Sequence, residues 1–185
     1  LRFKSLSPRS RVVAFEAHPD LYQKMLKQQE IESFNLAISN YVGTSEFHIF
    51  DDSTQCGSLR QNNSNSGKKI SVNTTTLDQF SYTQQLKAKS IGMWIDVEGC
   101  GLEALQGAAE LLKTTDFIHI EVETKQHWQN QSLETDLIKW MHQQGFVILG
   151  YSHNAKWHQG NILFLRKSLL KKIYIQPWFW LQIAK

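Results

Sequence analysis

The stretch that decides the fold is Ile91-Gly92-Met93-Trp94-Ile95-Asp96-Val97-Glu98-Gly99. It begins as an apolar run typical of a buried strand and ends abruptly in two acids and a glycine. A helical pattern follows at once, with apolar residues spaced near 3.6 at Leu102, Leu105, Ala108, Ala109 and Leu112. In an open α/β sheet, ligands bind in the crevice outside the carboxyl ends of the strands. We therefore expect Asp96 and Glu98 to lie at a functional site.

A second acid closes an earlier strand in the same way. Arg11–Ala17 is predicted to be a short buried strand, with Glu16 near its end. Pro19 suits the first turn of a helix, which is expected to run from Asp20 to Gln29. Two strands that end in acids and lead into helices favour a nucleotide-type cofactor site.

The remaining pattern alternates strands with helices. An Asn-, Ser- and Gly-rich segment, 51–69, is predicted to be a mobile loop. The pattern indicates an α/β fold with a doubly wound, mainly parallel sheet and an antiparallel hairpin at one edge. The further predicted strands are Phe34–Ser39, Ile70–Thr76, Phe117–Val122, Phe146–Tyr151 and Asn161–Arg166, and the further helices begin at Leu77 and span Leu133–Gln143.

Composition limits the classes of function. The 185 residues fit one domain, assigned to 1–167, followed by an aromatic tail at 168–185 that could bury against a partner chain and form a homo-oligomer. A formal charge of +3 does not argue for nucleic acid, and two cysteines outside any CxxC pair do not indicate a zinc site. No apolar run is long enough for a bilayer, and the first residues do not look like a signal peptide. We expect a cytoplasmic protein with no nucleic-acid or membrane partner.

Five short blocks follow one another along the chain: Ala14-Phe15-Glu16, Asn35-Leu36-Ala37-Ile38-Ser39, Thr75-Thr76-Leu77-Asp78, Ile95-Asp96-Val97-Glu98-Gly99 and Leu105-Gln106-Gly107-Ala108. In this order and spacing they resemble FkbM-type methyltransferases, and the resemblance extends from about Val12 to Glu123. The resemblance implies a Rossmann-like fold that uses S-adenosylmethionine to methylate a hydroxyl of a small molecule such as a sugar or polyketide.

Two features depart from the family pattern. Ala17 stands where the family has a proline after the glutamate, and Pro19 comes two places later. The family's first strand and its glycine-rich loop are expected just before residue 1 and are absent from this sequence. That strand would lie between the strand of Arg11–Ala17 and the strand of Ile91–Val97, so these two are not expected to be neighbours.

The resemblance also suggests roles for individual residues. Glu16, with Ala17 beside it, is expected to bind the ribose of the cofactor through two hydrogen bonds. Asn35, Leu36 and Ala37 are expected to lie along the adenine, although an ordinary buried strand would look the same.

Asp96 is the expected base at the transfer site and also a cofactor contact, and Glu98 is expected to contact the acceptor or the cofactor's tail. The alternative is that both acids cap the following helix. Glu121 and Glu123 end the next strand, and one of them could hold the acceptor, or a divalent metal together with Asp96. The spacing of the acids does not support assigning metal ligands.

Two other classes of protein remain open from the sequence. One is a non-catalytic, truncated Rossmann-like interaction module, which the absent first strand favours. The other is a nicotinamide-dependent enzyme, which the Asp-Val-Glu-Gly strand end disfavours.

Overall fold

The computed structural model describes residues 10–50, 56–64 and 67–171. Ten strands and four α-helices are present in these ranges. The strands are β1 (Val13–Phe15), β2 (Glu32–Phe34), β3 (Ala37–Ile38), β4 (Gly43–Ile49), β5 (Gly57–Ser58), β6 (Lys68–Thr75), β7 (Ile91–Ile95), β8 (Thr115–Glu123), β9 (Phe146–Asn154) and β10 (Gln159–Arg166). The helices are α1 (Pro19–Met25), α2 (Leu77–Thr83), α3 (Gly101–Gln106) and α4 (Glu134–Gln143), with 3₁₀ turns at Leu111–Thr114 and Lys167–Leu169.

The strands form three hydrogen-bonded sheets. One has the order β7-β8-β10-β9, a second has the order β3-β6-β4-β5, and β1 pairs with β2 alone. The pairs β1–β2, β3–β6 and β7–β8 are parallel, whereas β4–β5, β4–β6, β8–β10 and β9–β10 are antiparallel. The predicted hairpin at one edge is confirmed, because β9 and β10 pair in antiparallel fashion with β9 outermost.

The larger core lies between the β7-β8-β10-β9 sheet and the helices α3 and α4. Its fully buried side chains come from both layers and include Leu105, Ile118, Ile120, Met141, Ile162 and Phe164. A smaller cluster, Ala37, Phe47 and Val72, packs beside the second sheet. Burial of these apolar side chains holds the strand ends, and the acids that follow them, in fixed places.

The expectation of a mainly parallel sheet is wrong, because the described strands form mixed sheets. The segments 43–49 and 68–75 pair in antiparallel fashion. In β6, exposed Lys69, Ser71 and Asn73 alternate with the more buried Ile70, Val72 and Thr74. Such alternation is typical of antiparallel strands with one face toward solvent. β1 and β7 lie in different sheets, in agreement with the expectation that they are not neighbours, and a strand before residue 1 stays a prediction.

The predicted strand Phe34–Ser39 is divided between two sheets. The Phe34 ring stacks on Phe15 with centroids 6.0 Å apart, which keeps β2 beside β1. Ala37 and Ile38 instead pair with Thr74 and Thr75 of β6. The chain changes sheet at Asn35, where the side chain rather than the backbone makes the connecting hydrogen bonds.

Two predicted helices are shorter than expected. α1 ends at Met25 rather than Gln29. None of its side chains is fully buried, so tertiary packing contributes little to stabilising a longer helix. α3 ends at Gln106, because Gly107 lies against the backbone of Ser39, where a Cβ would come 2.1 Å from the carbonyl oxygen.

Parts of two further predictions fall outside the described residues. The polar segment 51–69 is not a simple loop, since Gly57–Ser58 pairs with His48–Ile49 and β6 begins at Lys68. Residues 51–55 and 65–66 of that segment are not described, nor are residues 172–185 of the aromatic tail. No helix in the described ranges combines the length and apolar character needed to cross a membrane.

Candidate active site

Three carboxylates meet beyond the carboxyl ends of β7 and β8. Asp96 and Glu98 lie in the turn after Ile95, and Glu121 lies two residues before the end of β8. One oxygen from each carboxylate lies within 4.8 Å of the other two. We call Asp96, Glu98 and Glu121 the carboxylate cluster. β7 and β8 are neighbours, and this parallel pairing brings the acids together.

The turn that carries Glu98 has an uncommon backbone conformation. Glu98 has φ +46° and Gly99 has φ +78°, so two consecutive residues are left-handed. A Cβ at position 99 would also lie 2.4 Å from the Trp128 ring, which packs beneath the turn. Glycine is therefore required at 99, whereas Glu98 adopts this conformation at some energetic cost.

The alternative that both acids cap the following helix is not what the structure shows. α3 begins at Gly101, with Cys100 in the capping position and no side-chain capping bond. Asp96 is exposed, and its carboxylate makes no hydrogen bond within the described ranges. Glu98 accepts a hydrogen bond from the Cys56 thiol at 3.3 Å. Both carboxylates are thus directed into the cluster rather than used by the helix.

The environment of the cluster favours protonated carboxyl groups. Although the Asp96 residue as a whole is exposed, the surrounding protein partly desolvates its carboxyl group and raises its pKa, opposed by the charge of His119. Burial also raises the pKa of Glu98, opposed by the Cys56 hydrogen bond. Burial together with the charges of Asp96 and Glu98 raises the pKa of Glu121 to about 7, although Gln159 donates a hydrogen bond to it at 2.8 Å. A carboxyl with a raised pKa is better matched to accepting a proton near neutral pH.

Glu123 adds a buried acid to the same strand end. Glu123 is only 5% exposed to solvent. Burial, followed by the charges of Glu121 and Glu98, raises the pKa of Glu123 to about 8, and the amide of Gln131 opposes part of this rise. We infer that Glu123 is largely protonated at neutral pH.

A second group of predicted residues lies where β1 and β2 end. The side-chain amide of Asn35 donates to the carbonyl oxygens of Glu16 at 2.7 Å and Ala17 at 3.1 Å. The Glu16 carboxylate accepts the backbone N–H of His18 at 2.8 Å through one oxygen. No described residue bonds its other oxygen. Glu16, Ala17 and Asn35 therefore form one fixed rim, and the chain continues from Asn35 through Leu36 into buried Ala37.

The structure brings the predicted residues together as these two groups. Within 10–50, 56–64 and 67–171, no hydrogen bond or ion pair joins the Glu16 rim to the carboxylate cluster. His119 stacks on Trp94, with ring centroids 4.0 Å apart, and is not part of the cluster. Trp128 is buried under Gly99, so it supports the turn rather than lining an open pocket.

Sequence reasoning did not predict that the polar segment 51–69 holds the Glu98 turn. Ser58 donates to the carbonyl oxygen of Glu98 at 2.6 Å, and the Arg60 Nε donates to that of Gly99 at 3.1 Å. Cys56 contacts the Glu98 carboxylate, as described above. These residues belong to the polar segment 51–69, where nothing in the composition separates a buried contact from a solvated loop.

The two groups differ in what they can do chemically. The carboxylate cluster offers an exposed base, Asp96, beside two acids of raised pKa, and it complements a positive charge on a substrate or a bound cation. Its three oxygens are close enough together to surround one cation, although exposed acids often cluster without one. The Glu16 rim offers a carboxylate acceptor with an oxygen free for a hydroxyl group.

Comparison with known proteins identifies the family of the chain. The family model described as "Methyltransferase FkbM domain" matches residues 2–148. The chain belongs to the FkbM methyltransferase family. It is 26% identical over 148 residues to the 2-O-methyltransferase NoeI of Sinorhizobium fredii (strain NBRC 101917 / NGR234). The aligned residues make up 70% of this chain and 60% of NoeI. No solved structure matches the chain.

Two of the FkbM-like blocks have a structural explanation. The Asp78 carboxylate accepts the backbone N–H groups of Glu110 at 2.9 Å and Leu111 at 2.8 Å. The Asp78 N–H in turn donates to the carbonyl oxygen of Gly107 at 2.9 Å. These contacts tie the start of α2 to the turn after α3. The blocks that contain Asp78 and Gly107 therefore join elements of the fold, and the other three blocks contain Glu16, Asn35, Asp96 and Glu98 of the two candidate groups.

Proposed function

We propose that this FkbM-family chain is an S-adenosylmethionine-dependent O-methyltransferase that acts on a small hydroxylated molecule. The observation that carries the proposal is the carboxylate cluster, with exposed Asp96 at the end of β7. Membership of the family supports methyl transfer. The printed name of the NoeI relative, a 2-O-methyltransferase, supports a hydroxyl oxygen as the acceptor.

The Glu16 rim fits the ribose of the cofactor. One Glu16 oxygen is held by His18, which fixes the carboxylate, and the other is free to accept from a ribose hydroxyl. Asn35 holds the carbonyl oxygens at 16 and 17, so the rim is formed before a ligand binds. Leu36, which is half-buried, is proposed to cover the adenine from the adjoining segment, whereas the predicted contact from Ala37 is disfavoured because Ala37 is buried in the smaller core cluster. The free Glu16 oxygen would accept the ribose hydroxyl, and the half-buried Leu36 side chain would contact the base of the nucleoside.

Asp96 is proposed as the general base of the transfer. When bound, S-adenosylmethionine supplies a methyl group on a positively charged sulfur. The Asp96 carboxylate takes the proton of the acceptor hydroxyl as the oxygen–methyl bond forms and the sulfur–methyl bond breaks. Glu98 orients the acceptor or the cofactor's tail. The negative cluster also complements the sulfonium, although binding it equally in the ground state would not by itself increase the rate.

A methyl-transfer assay tests the proposal. The full-length protein is incubated with S-adenosylmethionine labelled in the methyl group and a panel of sugars and other polyhydroxylated small molecules. We expect label in an ether product, and we expect Asp96→Asn to lower the rate by roughly a hundredfold, the usual scale for a positioned base. Asp116→Asn, at the opposite end of β8, is the matched control.

Two results would count against the proposal. Absence of transfer to every hydroxylated acceptor, with no bound cofactor, would favour the interaction module over the enzyme. Transfer at the normal rate by folded Asp96→Asn would remove Asp96 from the reaction while leaving the activity assignment intact.

A further inference from the structure

Arg60 joins the segment that follows β5 to the turn that carries Glu98. Its guanidinium donates in three directions: Nε to the carbonyl oxygen of Gly99 at 3.1 Å, Nη1 to that of Gln129 at 2.9 Å, and Nη2 to the Glu103 carboxylate. The side chain is 17% exposed, so these bonds are largely shielded from water. An arginine in this position ties the turn to α3 and to the segment after β8.

Ser58 completes the same attachment. Its hydroxyl accepts the backbone N–H of Arg60 at 3.0 Å and donates to the carbonyl oxygen of Glu98 at 2.6 Å. Consecutive carbonyl oxygens, those of Glu98 and Gly99, are therefore both bound by the Ser58–Arg60 segment. The segment is itself fixed, because Gln129 donates its backbone N–H to the carbonyl oxygen of Gln61 at 2.9 Å.

The turn needs such an attachment for two physical reasons. Glu98 has φ +46°, a conformation that is unfavourable for a residue with a Cβ and persists only where the surroundings enforce it. The Glu98 carboxylate is also held beside Asp96 and Glu121, and like charges at this distance repel. Without the bonds to its carbonyl oxygens, the turn would relax and the carboxylate would move away from Asp96.

We propose that Arg60 is a positioning residue for the transfer reaction: by bonding the Gly99 carbonyl oxygen, it keeps the Glu98 turn left-handed and the Glu98 carboxylate beside Asp96. This proposal rests on the proposed methyl-transfer function. Arg60 acts through the turn and is not assigned a contact with substrate or cofactor. Lysine cannot replace it, because a single ammonium cannot reproduce three fixed donor directions.

The test compares Arg60→Lys with a matched control in the full-length protein. We expect Arg60→Lys to lower kcat by about tenfold or more. The KM for S-adenosylmethionine and the KM for the acceptor should each change by less than about threefold, since displacement of a reacting group reduces the rate rather than binding. The control is Arg166→Lys, because Arg166 also donates through Nε to a carbonyl oxygen, that of Thr115 at 2.7 Å, at the other end of β8. It is expected to lose stability and keep kcat.

Two further measurements separate positioning from general stability. In a double-mutant cycle, Ser58→Ala and Arg60→Lys should be non-additive in kcat, because both act through one turn. The backbone amide resonances of Glu98 and Gly99 should shift in Arg60→Lys and not in Arg166→Lys. An unchanged kcat, a change confined to KM, or effects equal to those of Arg166→Lys would overturn the proposal. If the wild-type protein transfers no methyl group, the proposed function fails, and unshifted amide resonances would refute the attachment independently.

Discussion

At the scale of single residues, the site depends on acids whose ionisation the fold opposes. The strongest case is Glu123, which is buried at the end of β8 beside the carboxylate cluster. Burial raises the pKa of Glu123 to about 8, mainly because few water molecules are left to solvate its charge. The unfolded chain would restore the ordinary value for a glutamic acid. The folded protein therefore holds a proton that the unfolded protein releases at neutral pH.

This difference predicts how stability changes with pH. Because the folded state binds more protons, the free energy of unfolding should fall as the pH rises from about 5 to about 8. Glu123→Gln should remove much of this dependence and increase the free energy of unfolding at pH 8 by on the order of 1–3 kcal/mol. At pH 4, where glutamate is protonated in both states, the two proteins should be nearly equal. Urea unfolding at the two pH values measures this.

A suitable control for that experiment is Glu110→Gln, since Glu110 is exposed and forms a surface ion pair with Lys113. Its pH dependence should match that of the wild type. An equal loss of stability in Glu123→Gln at both pH values would contradict the account, because it would mean that the carboxyl is needed in its charged form.

At the scale of elements, two turns decide where the strand ends lie. The turn after β7 places Glu98, and the turn after α3 brings Gly107 against the backbone of Ser39. Asp78 binds two N–H groups of that second turn, which fixes the start of α2. These contacts hold the end of β3, the start of α2 and the end of α3 together.

Gly107→Ala tests the second turn. A Cβ would lie 2.1 Å from the Ser39 carbonyl oxygen, and the buried backbone cannot move aside without strain elsewhere. We expect a loss of about 1–3 kcal/mol in the free energy of unfolding, the usual cost of an overpacked core. Gly150→Ala is the control, since its Cβ would make only an ordinary contact of 3.7 Å with Leu163. If both variants unfolded at the same denaturant concentration, the close approach would not be important.

At the scale of the whole molecule, the sequence predicted most of the elements and the main acids of the site. The strand end at Asp96 and the hairpin of β9 and β10 could be predicted because their patterns are local. The division of 34–39 between two sheets could not, because it depends on Phe34 packing on Phe15. Arg60 could not be found either, since two of its three partners are backbone carbonyl oxygens and all three are distant in sequence. Every residue has a backbone carbonyl oxygen, so residue type does not indicate which of them accepts a hydrogen bond.

The most direct test of the account is a calorimetric titration of the full-length protein with S-adenosylmethionine. The central claim is that the Glu16 rim binds the ribose of this cofactor. We expect measurable binding by the wild type and a loss of about 1.5–3 kcal/mol in Glu16→Ala, because the charge-assisted hydrogen bond from a ribose hydroxyl to the free Glu16 oxygen is removed. Glu32→Ala, an exposed acid of β2 that pairs with Arg11, should bind like the wild type. Unchanged affinity in Glu16→Ala would contradict the claim and remove Glu16 from the cofactor site.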